Sequence, residues 1–138
     1  MKQINLNDVA VFLLRISLGI VLIAHSLYLK IFVFTMDGTT GFFVSLGLPA
    51  WLAYVVLAME AVTGIMLILG IQARWAAIVI VPVLLGATWA HLGNGWMFAY
   101  EGGGWEYPLY LSLLAVVQFL LGDGAFAMVK SKALATSA

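Results

Sequence analysis

Between Ala50 and Ile71 about twenty residues pass with a single charge among them, Glu60, and that run restricts what the chain can become. A bilayer's hydrocarbon core, about 30 Å thick, takes about 20 apolar residues as one helix, and inside it every backbone amide must find its partner within the protein. The segment is therefore read as a membrane-spanning helix. Composition extends the reading to the whole chain. Hydrophobic residues are 64% of 138, charged residues 9%, and the mean hydropathy is +1.12, far above what a water-soluble core requires. That length allows about four spans with little left over. The expected fold is all-α: an integral membrane four-helix bundle forming a single membrane domain over residues 1–138.

The first span is expected at about 8–33, interrupted by Arg15, His25 and Lys30; it is too long for the apolar core of a signal peptide and has no cleavage-like site. The second is about 50–71. The short IQAR connection returns the third, about 74–92, antiparallel beside it, with Pro82 inside it. The fourth, about 106–122, has Pro108 in its first turn, and GDG stops it. Between the first two spans, TMDGTTGFFVSLGLP offers Thr39 or Thr40 as a cap and Gly47 as a stop, which predicts a short interfacial helix at about 40–47. Between the last two, GNGWMFAYEGGGWEY has the composition of a headgroup-level aromatic belt. Lys2, Arg74, Lys130 and Lys132 fall on the side of both termini, while Asp37, Glu101 and Glu106 fall on the other with Lys30 at its edge, so both termini are expected in the cytoplasm.

Polar residues inside the spans carry the functional expectations, because a charge at that depth costs several kcal/mol unless it is partnered. Glu60 lies about ten residues, hence about 15 Å, from either end of its helix. Arg15 has the reach to meet it, and the two form either a buried ion pair that fixes register or, with His25, a polar ladder that passes protons or holds a polar head group. Small residues at Ala53 and Gly64 share the face of Glu60 and admit a close neighbouring helix. No metal is expected; were one held, His25 and His91 would be its ligands, since cysteine is absent. The tryptophans near span ends are interface anchors, although Tyr28, Trp89 and Tyr110 could line an isoprenoid groove. Glu106 either caps the fourth helix or faces Lys30 or His91 as a lid residue, and Gln118 is expected to hydrogen-bond across to the first helix. Zero net charge excludes a nucleic-acid surface, and no phosphate loop, nucleophile elbow or zinc-protease helix is present.

The runs LLRISLGIVLIAHSLYLK, GTTGFFVSLGLPAWLAYVVLAMEAVTGIMLILGIQAR and GGGWEYPLYLSLLAVVQFLLGDGA resemble the DoxX family of small four-helix bacterial membrane proteins, from about residue 10 to 126. Ser26 stands where many members carry glycine. The resemblance implies motif roles for Arg15, His25, Glu60 and Glu106, a place in the bacterial inner membrane, and a link to quinone-dependent oxidoreductase assemblies. Any reaction would then belong to a complex rather than to this chain alone, with Glu60, His25 and Arg15 as candidate catalytic groups. Candidates for holding a quinone are Arg15, His25, Tyr28, Glu60, Trp89 and His91. The partners expected are the lipid bilayer and further copies of the chain or a larger membrane complex. Two other readings stay open: a non-catalytic scaffold or assembly subunit, and a carrier or sensor of a small polar molecule or metal ion.

Overall fold

The computed structural model describes residues 3–135, and Lys2 lies outside them. Asn5 caps the first helix by accepting a hydrogen bond from the Asn7 amide at 2.9 Å, so α1 (Leu6–Ile23) opens just before the apolar run. The helix then continues without a break as a π-helical segment, Ala24–Val33, closed by the Phe34 amide donating to the Leu29 carbonyl five residues back at 2.8 Å. At the junction His25 Nδ1 and the Ser26 hydroxyl bond the carbonyls of Val21 and Ile23, side-chain contacts that compete with the backbone pattern. Next come α2 (Thr35–Ser45), α3 (Ala50–Leu69), α4 (Ala73–His91) and α5 (Glu106–Leu121).

Three continuous helical runs, Leu6–Val33, Ala50–Leu69 and Ala73–Asn94, are long and apolar enough to cross a membrane. The fourth, α5, is apolar but has 16 residues, a rise of about 24 Å. Helix α1 packs against α3 and α5, and α4 packs against the same two, which closes a ring around Leu18, Leu22, Leu67, Ile80, Leu111 and the alanines of α4. Helices α1 and α3 approach closely at Gly19 and Gly64. A Cβ at Gly19 would stand 2.8 Å from the Gly64 carbonyl, so only glycine admits α3 that close to α1.

The short helix begins earlier than 40. Thr35 takes a positive φ of 62° and its hydroxyl accepts from the Gly38 amide at 3.3 Å, which starts α2 there. Thr39 and Thr40, expected as caps, instead bond back to the carbonyls of Thr35 and Met36 inside the helix. The chain after α5 returns as an extended strap. Ala125 donates to the Asp8 carbonyl, which ties the strap to the start of α1, and Val129 donates to the Gly70 carbonyl and Gln72 to the Val129 carbonyl, which ties it to the α3–α4 turn. At the opposite end the Phe42 ring of α2 stacks 6.3 Å from His91, at the end of α4.

Candidate functional site

Arg15 is 0% exposed, yet it does not meet Glu60. Its guanidinium donates from Nη1 to the carbonyls of Leu67 at 2.9 Å and Ile68 at 3.3 Å, and from Nη2 to Ala125 at 2.9 Å. Leu67 and Ile68 belong to the last turn of α3, where carbonyls lack intrahelical donors and the helix dipole favours a cation. The expected Arg15–Glu60 pair is replaced by a charged cap that ties α1 to α3 and to the strap. Gly70 follows that turn at φ 70°, and a Cβ there would fall against the guanidinium and 2.6 Å from the Ala127 Cα.

Arg74, which served as a marker of orientation in the sequence, does the same for α5. Its Nη1 donates to Phe119 at 2.6 Å and Leu120 at 3.3 Å, and Gly122 follows at φ 93°. In both caps the bonded carbonyls lie three and two residues before the glycine. Asp123 completes the second cap by accepting from the Arg74 amide and from the amide and hydroxyl of Ser131. Gln118 does not reach α1, contrary to expectation. Its Nε2 donates to the Gly122 carbonyl at 2.7 Å, because the end of its own helix offers a nearer acceptor.

Glu60 is buried on the inward face of α3, together with Ala53 and Gly64, and its Oε2 forms an ion pair with the Lys30 ammonium. Among the described residues this is the one ion pair. The lysine stem runs inward from the π-helical segment, while the Lys30 carbonyl accepts from the Thr39 hydroxyl at 3.1 Å. Lys30, placed at a loop edge in the sequence reading, is thus the partner of the membrane glutamate. Only its four-carbon stem could have indicated this, since such side chains move their charge far from the backbone.

His25 faces a different environment. It lines a groove of about 880 Å³ between the π-helical segment and the start of α5, with Leu29, Phe98, Glu106, Tyr107 and Tyr110. The Tyr107 ring lies 6.2 Å from the imidazole and 5.9 Å from the Phe98 ring. His25 Nδ1 sits 2.9 Å from the Val21 carbonyl, an acceptor only, so Nδ1 is the donor in that bond and Nε2 is not used by it. Tyr107 and Tyr110 are three residues apart on α5 and share one face, a spacing legible in WEYPLY. Glu106 opens α5; its Oε1 accepts from the Phe98 amide at 3.4 Å, and it faces neither Lys30 nor His91. The loop that carries Phe98 is clamped where Trp105 and Glu106 donate to the carbonyls of Gly95 and Trp96.

The remaining candidates lie apart. Tyr28 is 61% and Trp89 52% exposed, and neither joins Tyr110 in the groove. His91 packs on Phe42 and lies 3.4 Å from the Asn94 amide nitrogen. His25 and His91 therefore have separate surroundings, and among the described residues no three His, Cys, Asp or Glu side chains gather as a metal site. Of the six residues considered for a quinone, the groove holds His25 alone, joined by Glu106 and two tyrosines.

The family model described as DoxX matches residues 10–93, which covers α1, the π-helical segment, α2, α3 and α4. No curated protein and no solved structure matches the chain.

Proposed function

This chain belongs to the DoxX family, and we propose that it serves as a small subunit or accessory protein of a quinone-linked membrane oxidoreductase, with the His25 groove as the place where the quinone head is held. The proposal includes four membrane crossings, α5 being the fourth, in the bacterial inner membrane, with both termini cytoplasmic. Arg74, Lys130 and Lys132 at the strap end, against Asp37 and Glu101 at the other, support that orientation.

The single observation that carries the reading is the composition of the groove. The π-helical segment offers an imidazole, the start of α5 a carboxylate and two phenols, and the rest of the lining, Leu29 and Phe98, is apolar. A quinone brings two carbonyl oxygens that accept hydrogen bonds and, when reduced, two hydroxyls that donate them. The residues fit both states. Tyr107 and Tyr110 hydroxyls donate to an oxygen, His25 Nε2 accepts from a hydroxyl, and Glu106 can take a proton toward the outer surface. About 880 Å³ is ample for a head group and part of its tail. Arg15 and Glu60 take no part, since backbone carbonyls and Lys30 already engage them.

The test is to purify the protein in native-lipid particles and extract what it retains. Retained quinone in the wild type, lost in His25→Ala with the helical content unchanged, supports the reading. A wild type that carries no quinone while holding a partner subunit would replace it with the scaffold role.

A further inference from the structure

A second groove, of about 550 Å³, runs on the other side of α5. Val81 and Leu85 of α4 and Leu109, Leu113 and Val116 of α5 form its apolar walls. Of the polar groups on its lining, the Ser112 hydroxyl already donates to the Pro108 carbonyl at 2.8 Å. Glu106 and Tyr110 line both grooves. The two depressions thus meet over the first turns of α5, polar groups in one and hydrocarbon in the other.

From this we infer that the ligand is a long-tailed amphiphile that straddles α5, its head in the His25 groove and its isoprenoid or acyl tail across Tyr110 in the α4–α5 groove. This rests on the head-group reading above and adds the tail path to it. A short-tailed molecule would leave the second groove to bilayer lipid, and the two arrangements differ in what Tyr110 touches. Phenol rings at a turn favour the bend, because a flat aromatic face lies against either a ring or a chain without an unmatched polar atom inside. Glu106 stays at the head end, where the Phe98 amide holds it.

The length of the tail is the variable to change. The protein is placed in nanodiscs of defined phospholipid, and binding is measured for a benzoquinone with one isoprene unit and for the same head with eight. Wild type should retain the long probe about tenfold better, a modest ratio because the tail only exchanges one apolar packing for another. Leu113→Trp and, from the opposite wall, Leu85→Trp fill the second groove on lipid-facing positions. Each should erase the preference while leaving the short probe bound, and a folding failure in one leaves the other to report. Equal retention of the two probes by wild type, with both lost in His25→Ala, overturns the tail path and leaves the head site standing. Failure of wild type to bind either probe overturns both.

Discussion

The two ends of the helix ring treat polar groups in opposite ways. At the strap end, Arg15 and Arg74 are buried and each donates from Nη1 to carbonyls at matched positions, Leu67 and Ile68 before Gly70, Phe119 and Leu120 before Gly122, while the buried Nε of each has no partner among the described residues. Each pair of packed helices, α1 with α3 and α4 with α5, is fastened by the same device. Toward the other end His25, Glu106, Tyr107 and Tyr110 line an open groove, where His25 Nδ1 bonds the Val21 carbonyl and Glu106 Oε1 accepts from the Phe98 amide. The lesson is that the most buried charge in this chain is architectural. The polar side chains that line that groove are the less buried ones.

The sharpest way to break the comparison is at the glycines. Gly70→Ala requires a left-handed φ of a β-carbon residue and pushes that carbon against the Arg15 guanidinium and the strap backbone. Positive φ costs about 1–2 kcal/mol and displacing charged hydrogen bonds about 1.5–3 more, so the variant should lose roughly 3–5 kcal/mol. Unfolding in mixed micelles titrated with sodium dodecyl sulfate would measure it. Gly122→Ala should lose a comparable amount at Arg74. A loss below about 1 kcal/mol in both would mean that the caps do not fasten the helix pairs.

The Lys30–Glu60 pair sits between the two regimes, buried like the arginines but made of two side chains. Glu60→Leu leaves an ammonium facing the interior, although the lysine stem can turn toward the headgroups, so the expected loss is about 2–3 kcal/mol rather than the full amount for a stranded charge. Lys30→Leu with Glu60→Leu should recover most of that loss in the same titration. If the double variant is no more stable than the single, the pair is not a closed unit, and Glu60 has another partner.

This pair also shows where sequence reasoning stops. Apolar length made the long helices legible, because it depends on local composition alone, and three helices long and apolar enough to cross a membrane are there. Position along a helix was countable, since rise per residue is constant in an α-helix. Azimuth was not. Between Arg15 and Lys30 the helix changes to i→i+5 bonding, which winds fewer degrees per residue and rotates everything after Ile23 relative to an α-helical count. Arg15 and Glu60 were matched by height and reach, but the empty carbonyls of the α3 terminus lay nearer. Those acceptors are invisible in a list of side chains. Of the groove's polar residues, His25, Tyr110 and Glu106 were already candidates in the sequence, Tyr110 and Glu106 with other neighbours in view, whereas Tyr107 was not.

A milder change sharpens the likeness of the two caps. Arg15→Lys and Arg74→Lys keep the charge but replace a planar fork with a point donor that cannot span two carbonyls and, for Arg15, the strap as well. Each should cost about 1–2 kcal/mol, with Arg15→Lys the larger because it also releases the Ala125 carbonyl. Hydrogen exchange at Gly124 to Lys130 would rise in Arg15→Lys, since the strap loses one of its attachments. Equal exchange in both variants would show that the strap is held by its backbone bonds alone.

The smallest expected effect on stability is also the one that separates the two ends of the molecule most cleanly. Tyr107→Phe removes a hydroxyl that makes no hydrogen bond among the described residues, and keeps the ring that packs near His25 and Phe98. Stability should change by less than about 0.5 kcal/mol, the usual range for a change that creates no cavity and strands no polar atom. Quinone retention should nevertheless fall about tenfold, the equivalent of one lost hydrogen bond of about 1.4 kcal/mol. An arginine cap variant should give the reverse pattern: lower stability, and unchanged retention per folded molecule. If Tyr107→Phe instead destabilises the bundle and leaves retention alone, the hydroxyl is a structural group like those at the strap end, and the contrast between the two ends disappears.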